Sequence, residues 1–260
     1  MDIKKWIRDK FLVDSELDWN CPNCTSGKLE IEKEKFNSQE TKVSKEEDRK
    51  QDYWEPDFIR YRFSGSLKCK LCDEIIVFIG SGQVVNSGYY DQIEETYYGD
   101  YREEFKPLFF HPPLHIFKLK SSYPKEVSQE IMNSFEHFWN DLSSCANKIR
   151  TSLEILLNLH KVKNYTLTNR NKRKRLTLHQ RIEEFKKKNS EVGDYLLAIK
   201  WIGNEGSHPG NLERIDILET YELLEHSLDK LYERKDEKMK RLSKEINRNK
   251  GVKRRKSVIS

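Results

Sequence analysis

Cys21-Pro22-Asn23-Cys24 and Cys69-Lys70-Leu71-Cys72 are the two stretches that decide how the N-terminal part of the chain folds. Two residues between cysteines form a tight turn that points both sulfurs at one ion, and two such turns complete the tetrahedral shell of a structural zinc site. The 44 residues between the pairs exceed the usual zinc-finger spacing, but the cost of closing a loop grows only slowly with its length. A reducing compartment disfavours disulfides, and the repeated spacing disfavours four unliganded thiols. We therefore predict a closed zinc ribbon, with no open position for metal catalysis, whose ligands are Cys21, Cys24, Cys69 and Cys72.

The residues around the second cysteine pair predict a small β module. Residues 58–63 and 74–79 are rich in aromatic and β-branched types, and Gly80-Ser81-Gly82 is expected to turn the chain. Residues 32–50 are dominated by Glu, Lys, Ser and Asp, which predicts a mobile or loosely helical insertion. Together these features define a zinc-ribbon module over residues 1–88.

A helical pattern begins at residue 127. Apolar residues recur in steps of three and four to about residue 161, as one amphipathic helix or as two joined near Asp141. Further helices are predicted over 176–188, over 191–202 and from 212 into the charged tail. The stripe of the first stretch contains Ile131, Phe135, Phe138, Leu142, Cys145, Ile149, Leu153 and Leu156, so that Cys145 is interpreted as a core thiol.

These patterns predict an α+β chain in four parts. The ribbon is followed by residues 89–122, which are rich in proline and aromatic types, show no helical period and predict an irregular connector. Amphipathic helices must bury their apolar faces against one another, which predicts a four-helix bundle over residues 123–238. Residues 239–260 form a basic tail.

Composition restricts the class of protein. The 260 residues are 36% hydrophobic and 35% charged, with a net charge of +5. The longest apolar run, residues 75–79, is far too short to cross a bilayer, and the first residues lack the apolar core of a secretion signal. We therefore expect a cytoplasmic protein with no membrane partner.

Two basic clusters could bind nucleic acid. The first precedes the second predicted helix, and the second lies in the last twenty residues, which hold eight basic side chains and one acid. Either could neutralise phosphates and release counterions, or be only a solvated loop and a solubilising tail. The first cluster consists of Arg170, Lys172, Arg173, Lys174 and Arg175.

One stretch, Gly203-Asn204-Glu205-Gly206-Ser207-His208, interrupts the helical pattern. Gly203 or Asn204 could form the left-handed cap of a helix, and His208 would then be a turn residue bonded to the backbone. Arg150 and Glu154, four residues apart, are interpreted as an exposed ion pair of little energetic weight. On the residues alone, this structural interpretation is sufficient.

Four stretches together resemble a known family. The chain is similar to the domain-of-unknown-function 4145 family, whose members often follow a zinc ribbon and which is similar to the HEPN superfamily of four-helix domains. The resemblance implies a HEPN-like bundle, a fold found in restriction, toxin–antitoxin and other anti-phage systems. The stretches are Tyr123-Pro124-Lys125-Glu126-Val127, Ala146-Asn147-Lys148-Ile149-Arg150-Thr151-Ser152-Leu153-Glu154, Leu178-His179-Gln180-Arg181-Ile182 and Ile199-Lys200-Trp201-Ile202-Gly203-Asn204-Glu205-Gly206-Ser207-His208.

The resemblance implies candidate catalytic residues. Many HEPN proteins are metal-independent RNA endonucleases with an Arg, a polar residue and then a His. Asn204 and His208 fill the polar and His positions, but Gly203 stands where the Arg would be. Lys200 lies three residues upstream on nearly the same helical face, and as a point charge it cannot clamp phosphate bidentately. His208 would act as proton carrier, Lys200 would stabilise phosphoryl charge, and His179 is a second candidate acid or base.

Partners and alternatives follow from the same resemblance. RNA is the expected ligand, DNA remains possible, and HEPN proteins commonly form homodimers through the helical bundle. A protein partner from a defence system is a further expectation. The competing hypotheses are a non-catalytic module that binds nucleic acid or protein, and an antitoxin-like or regulatory subunit that has lost its chemistry.

Overall fold

The computed structural model describes residues 2–46, 48–205, 212–233 and 235–251. Strands and helices are numbered here in chain order. The strands are β1 (Leu29–Ile31), β2 (Asn37–Glu40), β3 (Arg60–Cys69), β4 (Ile75–Asn86), β5 (Tyr89–Asp91), β6 (Thr96–Tyr98), β7 (Tyr101–His111), β8 (Tyr165–Leu167) and β9 (Arg173–Arg175). The α-helices are α1 (Lys4–Ile7), α2 (Lys42–Glu46), α3 (Lys125–His137), α4 (Leu142–Leu159), α5 (Leu178–Lys186), α6 (Ser190–Glu205), α7 (Arg214–Leu228) and α8 (Lys235–Asn249).

The N-terminal part is an antiparallel sheet of strand order β1-β3-β4-β7, with β2 also paired to β3. Buried and exposed side chains alternate along the first half of β4, so that Ile76 and Phe78 face the core while Val77 and Ile79 face outward. Residues 58–63 and 74–79, predicted as strands, lie largely in β3 and β4. Two small hairpins, β5-β6 and β8-β9, are separate from this sheet.

The turn predicted at Gly80-Ser81-Gly82 was wrong, because β4 runs straight through it. A Cβ atom on Gly80 would collide with the Lys106 carbonyl and lie 2.6 Å from the Phe63 ring, and a Cβ on Gly82 would lie 2.6 Å from the Phe105 ring. Only glycine fits at these two positions, because aromatic rings and a neighbouring backbone carbonyl lie too close to β4 for any side chain.

The segments predicted as a mobile or loosely helical insertion and as an irregular connector both contain strands, although the first also contains the short helix α2. Within residues 32–50, β2 pairs with β3, and the ring of Phe36 stacks on Phe63 at 5.1 Å. Within residues 89–122, β7 pairs with β4, and Pro107 lies where the register shifts. Composition concealed both strands, since a single partly buried aromatic next to β2 anchors the first, and an edge strand tolerates the proline of the second.

The helical pattern is confirmed in outline. The stretch from residue 127 is two helices, and Asp141 caps the second, accepting a bond of 3.0 Å from the Ser144 N–H. Helices α5, α6 and α7 lie where helices were predicted. Among these, α3 packs on α4, and α6 contacts α4, α5 and α7. Cys145 is fully buried beside the Tyr221 hydroxyl, which confirms its interpretation as a core thiol.

The sheet and the helices share one hydrophobic core. Trp139, in the turn after α3, contacts Trp19 at 5.4 Å and Phe110 of β7 at 4.8 Å between ring centroids. Helices and strands are thus combined in one packed unit. In the part of the chain that the structure describes, no helix has the length and apolar content needed to cross a bilayer.

The close approach at Gly80 gives a stability test. We expect Gly80→Ala to lower the free energy of unfolding by about 1–3 kcal/mol, because the added methyl group has no space. Gly203→Ala is the matched control: the nearest atom to its Cβ would be 3.8 Å away, and alanine favours a helix interior by about 0.5–1 kcal/mol. Urea denaturation of both variants measures the difference, and equal effects would contradict this explanation of β4.

Candidate functional site

The four paired cysteines form one cluster. Their sulfur atoms all lie within 4.8 Å of one another, and the Cys21–Cys72 and Cys24–Cys69 sulfur pairs are each 3.7 Å apart. A tetrahedral shell with metal–sulfur bonds of about 2.3 Å has sulfur–sulfur edges of about 3.8 Å. These distances exclude disulfides in this state, and the four residues could hold one metal ion.

The surroundings of the cluster fit a bound cation. The Gly27 N–H donates to Cys24 Sγ at 3.2 Å, and the Leu71 N–H donates to Cys69 Sγ at 3.4 Å. A side chain at Gly27 would collide with Cys69 Sγ, so the cradle needs glycine. Backbone N–H groups lower the pKa of Cys24 to about 6, whereas burial raises the pKa of Cys21 to about 12. A cation would offset that burial by stabilising the thiolate form.

A second constellation joins α4 to α6. Arg150 Nη1 of α4 donates to Asn204 Oδ1 of α6 at 2.8 Å. The predicted ion pair between Arg150 and Glu154 is therefore wrong. Arg150 bonds Asn204 instead, and the Glu154 carboxylate lies 3.9 Å from Nη2 of Arg175. Arg150 is the candidate site residue that sequence reasoning missed. The sequence signal that could have found Arg150 is Gly203, which precedes Asn204. A glycine in a helix lets a neighbouring helix pass closely, and here that helix is α4.

Lys200 lies beside this pair but is covered. It is 7% exposed, and its Nζ lies 3.3 Å from the centroid of the Trp201 ring. Burial, and then the charge of Arg150, lower the pKa of Lys200. Among the side chains that the structure describes, neither cation forms an ion pair with a carboxylate. The structure thus brings together Lys200, Asn204 and Arg150.

His179, the second candidate acid or base, lies at the edge of this constellation. Its ring centroid is 5.6 Å from that of Trp201, and its Nδ1 atom is buried without a hydrogen-bond partner among the described residues. His208, the principal candidate, lies outside the described residues. Of the three predicted catalytic residues, the structure therefore describes Lys200 and Asn204.

The first basic cluster forms a hairpin near the same helix. Strands β8 and β9 pair antiparallel, and every residue of both is exposed. Arg173 lies 4.1 Å from the Tyr165 ring centroid, which is a cation–π contact. Because Arg175 approaches Glu154, one turn beyond Arg150 on α4, the hairpin starts close to the Arg150–Asn204 pair.

The two parts of the chain match models of two protein families. Residues 9–110, which contain the cysteine cluster and the sheet, match a domain of unknown function (DUF8608). Residues 133–249, which contain the Arg150–Asn204 pair, match a domain of unknown function (DUF4145), which supports the resemblance to that family. No curated protein and no solved structure matches the chain.

The structure predicts that the four clustered cysteines bind a metal ion and that the fifth, Cys145, does not. We expect elemental analysis of the purified chain to find about one thiophilic metal ion per chain, and Cys69→Ser to lose it together with stability. Cys145→Ser is the matched control and should keep the metal, because Cys145 lies in the helical core. Loss of metal in both variants, or its absence from the unaltered protein, would contradict the assignment.

The effect of Arg150 on Lys200 gives a second prediction, for the pKa of Lys200. We expect Arg150→Ala to raise the pKa of Lys200, because removing a nearby positive charge makes the ammonium form less unfavourable. The pKa should stay below its ordinary value, since burial is the larger cause. Arg175→Ala removes an arginine that does not act on Lys200 and should leave its pKa unchanged. NMR titration of the Lys200 side chain measures both, and an unchanged pKa in the Arg150 variant would contradict the electrostatic effect of Arg150 on Lys200.

Proposed function

We propose that the helical part carries a HEPN-like, metal-independent RNA endonuclease site made of Lys200, Asn204, His208 and Arg150. The observation that carries this proposal is the 2.8 Å hydrogen bond from Arg150 to Asn204. It brings a guanidinium next to the polar residue of the motif, although Gly203 occupies the motif's arginine position. The packing of α3 on α4, and of α6 on α4, α5 and α7, supports the four-helix fold that the resemblance implies.

Arg150 can supply what Lys200 cannot. A guanidinium presents a planar set of donors that fits two phosphate oxygens at once, whereas an ammonium acts as a point charge. The two cations lie close enough for the charge of one to lower the pKa of the other. A phosphate that bound between them would relieve this repulsion, which favours an anionic ligand at this place.

The proposed reaction is a transesterification within RNA. A ring nitrogen of His208 takes the proton from a ribose 2′-hydroxyl as its oxygen attacks the adjacent phosphorus. The bond from phosphorus to the 5′ oxygen breaks, and a general acid returns a proton to that oxygen. The products are a cyclic phosphate and a 5′-hydroxyl end, while Arg150 and Lys200 stabilise the negative charge on the phosphoryl oxygens.

The basic hairpin would hold the RNA backbone. Between Lys161 and Arg181 the chain carries eight basic side chains and no acid, and Arg170, Lys172, Arg173, Lys174 and Arg175 are exposed. Phosphate contacts of this kind give salt-dependent affinity with little sequence preference. Dimerisation through the helices, a partner protein and a role in prokaryotic anti-phage defence follow from the resemblance alone.

The metal of the cysteine cluster is proposed to be zinc with a structural role. Zinc favours four thiolates in tetrahedral geometry, and such a closed shell has no position for a reactive water. The cluster joins the turns at residues 21–24 and 69–72, and so fixes β1 beside β3, where Leu29 pairs with Cys69. The proposed chemistry of the helical part needs no metal.

A second candidate function is non-catalytic RNA binding. It is favoured by one observation, the burial of Lys200 beneath Trp201, which keeps the ammonium away from a ligand in this conformation. In that case the Arg150–Asn204 bond only joins two helices, and the basic hairpin performs the binding.

RNA cleavage separates these functions. We expect the full chain to cleave labelled RNA in the presence of EDTA and to leave cyclic-phosphate and 5′-hydroxyl ends. His208→Ala should abolish cleavage, and Arg150→Ala should slow it by about 100-fold, the effect of removing one charge-stabilising group. The control is His226→Ala, which replaces an exposed histidine of α7 and should leave cleavage unchanged. Circular dichroism with and without EDTA checks that chelation has not unfolded the ribbon.

Two other outcomes would overturn the nuclease or its mechanism. RNA that is shifted in a salt-sensitive gel assay but left intact would support the binding module and overturn the nuclease. Cleavage of single-stranded DNA but not RNA would overturn the 2′-hydroxyl mechanism, because DNA lacks the attacking group.

A further inference from the structure

Trp201 is a large aromatic side chain that the fold leaves in solvent. It is 55% exposed, whereas Trp6, Trp19 and Trp139 are at most 6% exposed. It belongs to α6, next to Lys200 and three residues before Asn204. Exposed rings of this size contribute strongly to ligand binding when they are covered, so its position beside the candidate site needs an explanation.

The surroundings of Trp201 are positively charged. Lys200 Nζ lies 3.3 Å from its ring centroid, and Arg150 acts electrostatically on that lysine. His179 is the other neighbouring ring, at 5.6 Å and an angle of 50°. A flat apolar surface beside cations complements a ligand that alternates flat rings with negative charges, which is the chemistry of single-stranded nucleic acid.

We propose that Trp201 stacks on an unpaired base of RNA bound at the Lys200–Asn204–Arg150 site, so that the site selects single-stranded over duplex RNA. In a duplex each base is already stacked on its neighbours, and a protein ring cannot reach a base face. The inference rests on the proposed function, because it places the base beside the phosphate that Arg150 and Lys200 hold.

The basic hairpin extends this site along the strand. Arg175 lies within 3.9 Å of Glu154 on α4, and Tyr165 of β8 is 43% exposed beneath the Arg173 guanidinium. Phosphates that follow the stacked base would meet these arginines, and Tyr165 offers a further ring. Stacking at Trp201 then fixes the strand's position, while the hairpin supplies affinity without sequence preference.

The test uses the full chain with Trp54→Phe, since Trp54 is the other tryptophan that is not buried. We expect a single-stranded RNA oligonucleotide to quench the fluorescence of Trp201, and the same sequence in duplex form to leave it unchanged. Trp201→Ala should weaken single-strand binding by about five- to 150-fold, the range for loss of one base–aromatic stack, and Trp201→Phe should retain most of it. The control is Tyr89→Ala, which removes an exposed ring of the acidic β5-β6 hairpin and should leave RNA binding unchanged.

The outcomes distinguish the inference from the proposed function. Equal affinity of the unaltered protein and Trp201→Ala for single-stranded RNA, with no quenching, would overturn the stacking role and leave the nuclease proposal standing. Equal quenching by duplex RNA would overturn the selectivity. Failure of the unaltered protein to bind any RNA would overturn the proposed function, and the stacking role with it.

Discussion

The guanidinium of Arg214, at the start of α7, joins α7 to α1 and to the turn that follows α3. Its Nε donates to the Trp6 carbonyl at 2.7 Å, and its central carbon lies 4.0 and 4.4 Å from the rings of Phe138 and Trp139. Burial lowers its pKa to about 10, so it remains charged at neutral pH. An arginine serves here because its flat face packs on rings while its Nε donates a hydrogen bond to a backbone carbonyl.

The packing of α4 against α6 then positions the candidate site. Ile149 and Ile199 are both buried, which places the neighbouring Arg150 and Lys200 at the margin of the same core. Burial, and then the charge of Arg150, lower the pKa of Lys200, so that enclosing this ammonium beside a second cation is unfavourable for the folded state. Charge arrangements that oppose folding are concentrated at functional sites, so this constellation is a stronger indication of function than the basic loop, which solvent screens.

The sequence predicted the features that depend on local periodicity. The cysteine spacing identified the cluster of four thiols that could hold a metal ion. The three- and four-residue steps identified α3 to α7, because a helix and a two-cysteine turn are set by residues close in the chain. Features set by distant contacts were missed. β2 exists because Phe36 stacks on Phe63, and Gly80 is in a strand because rings cross it. Arg150 was misread for the same reason, since its partner Asn204 is 54 residues away.

Gly203 and Arg150 are physically linked. A Cβ atom at residue 203 would lie 4.0 Å from Arg150 Cβ and 3.8 Å from the Ala146 carbonyl oxygen, so a small side chain is tolerated there. A long side chain at 203 would have to share the space through which Arg150 reaches Asn204, and two guanidinium groups would repel each other. Glycine at residue 203, where the resemblance implies an arginine, is therefore compatible with an arrangement in which a single guanidinium reaches Asn204 from the neighbouring helix. Such a site depends on α4–α6 packing, whereas an arginine within the motif would depend on one helix alone.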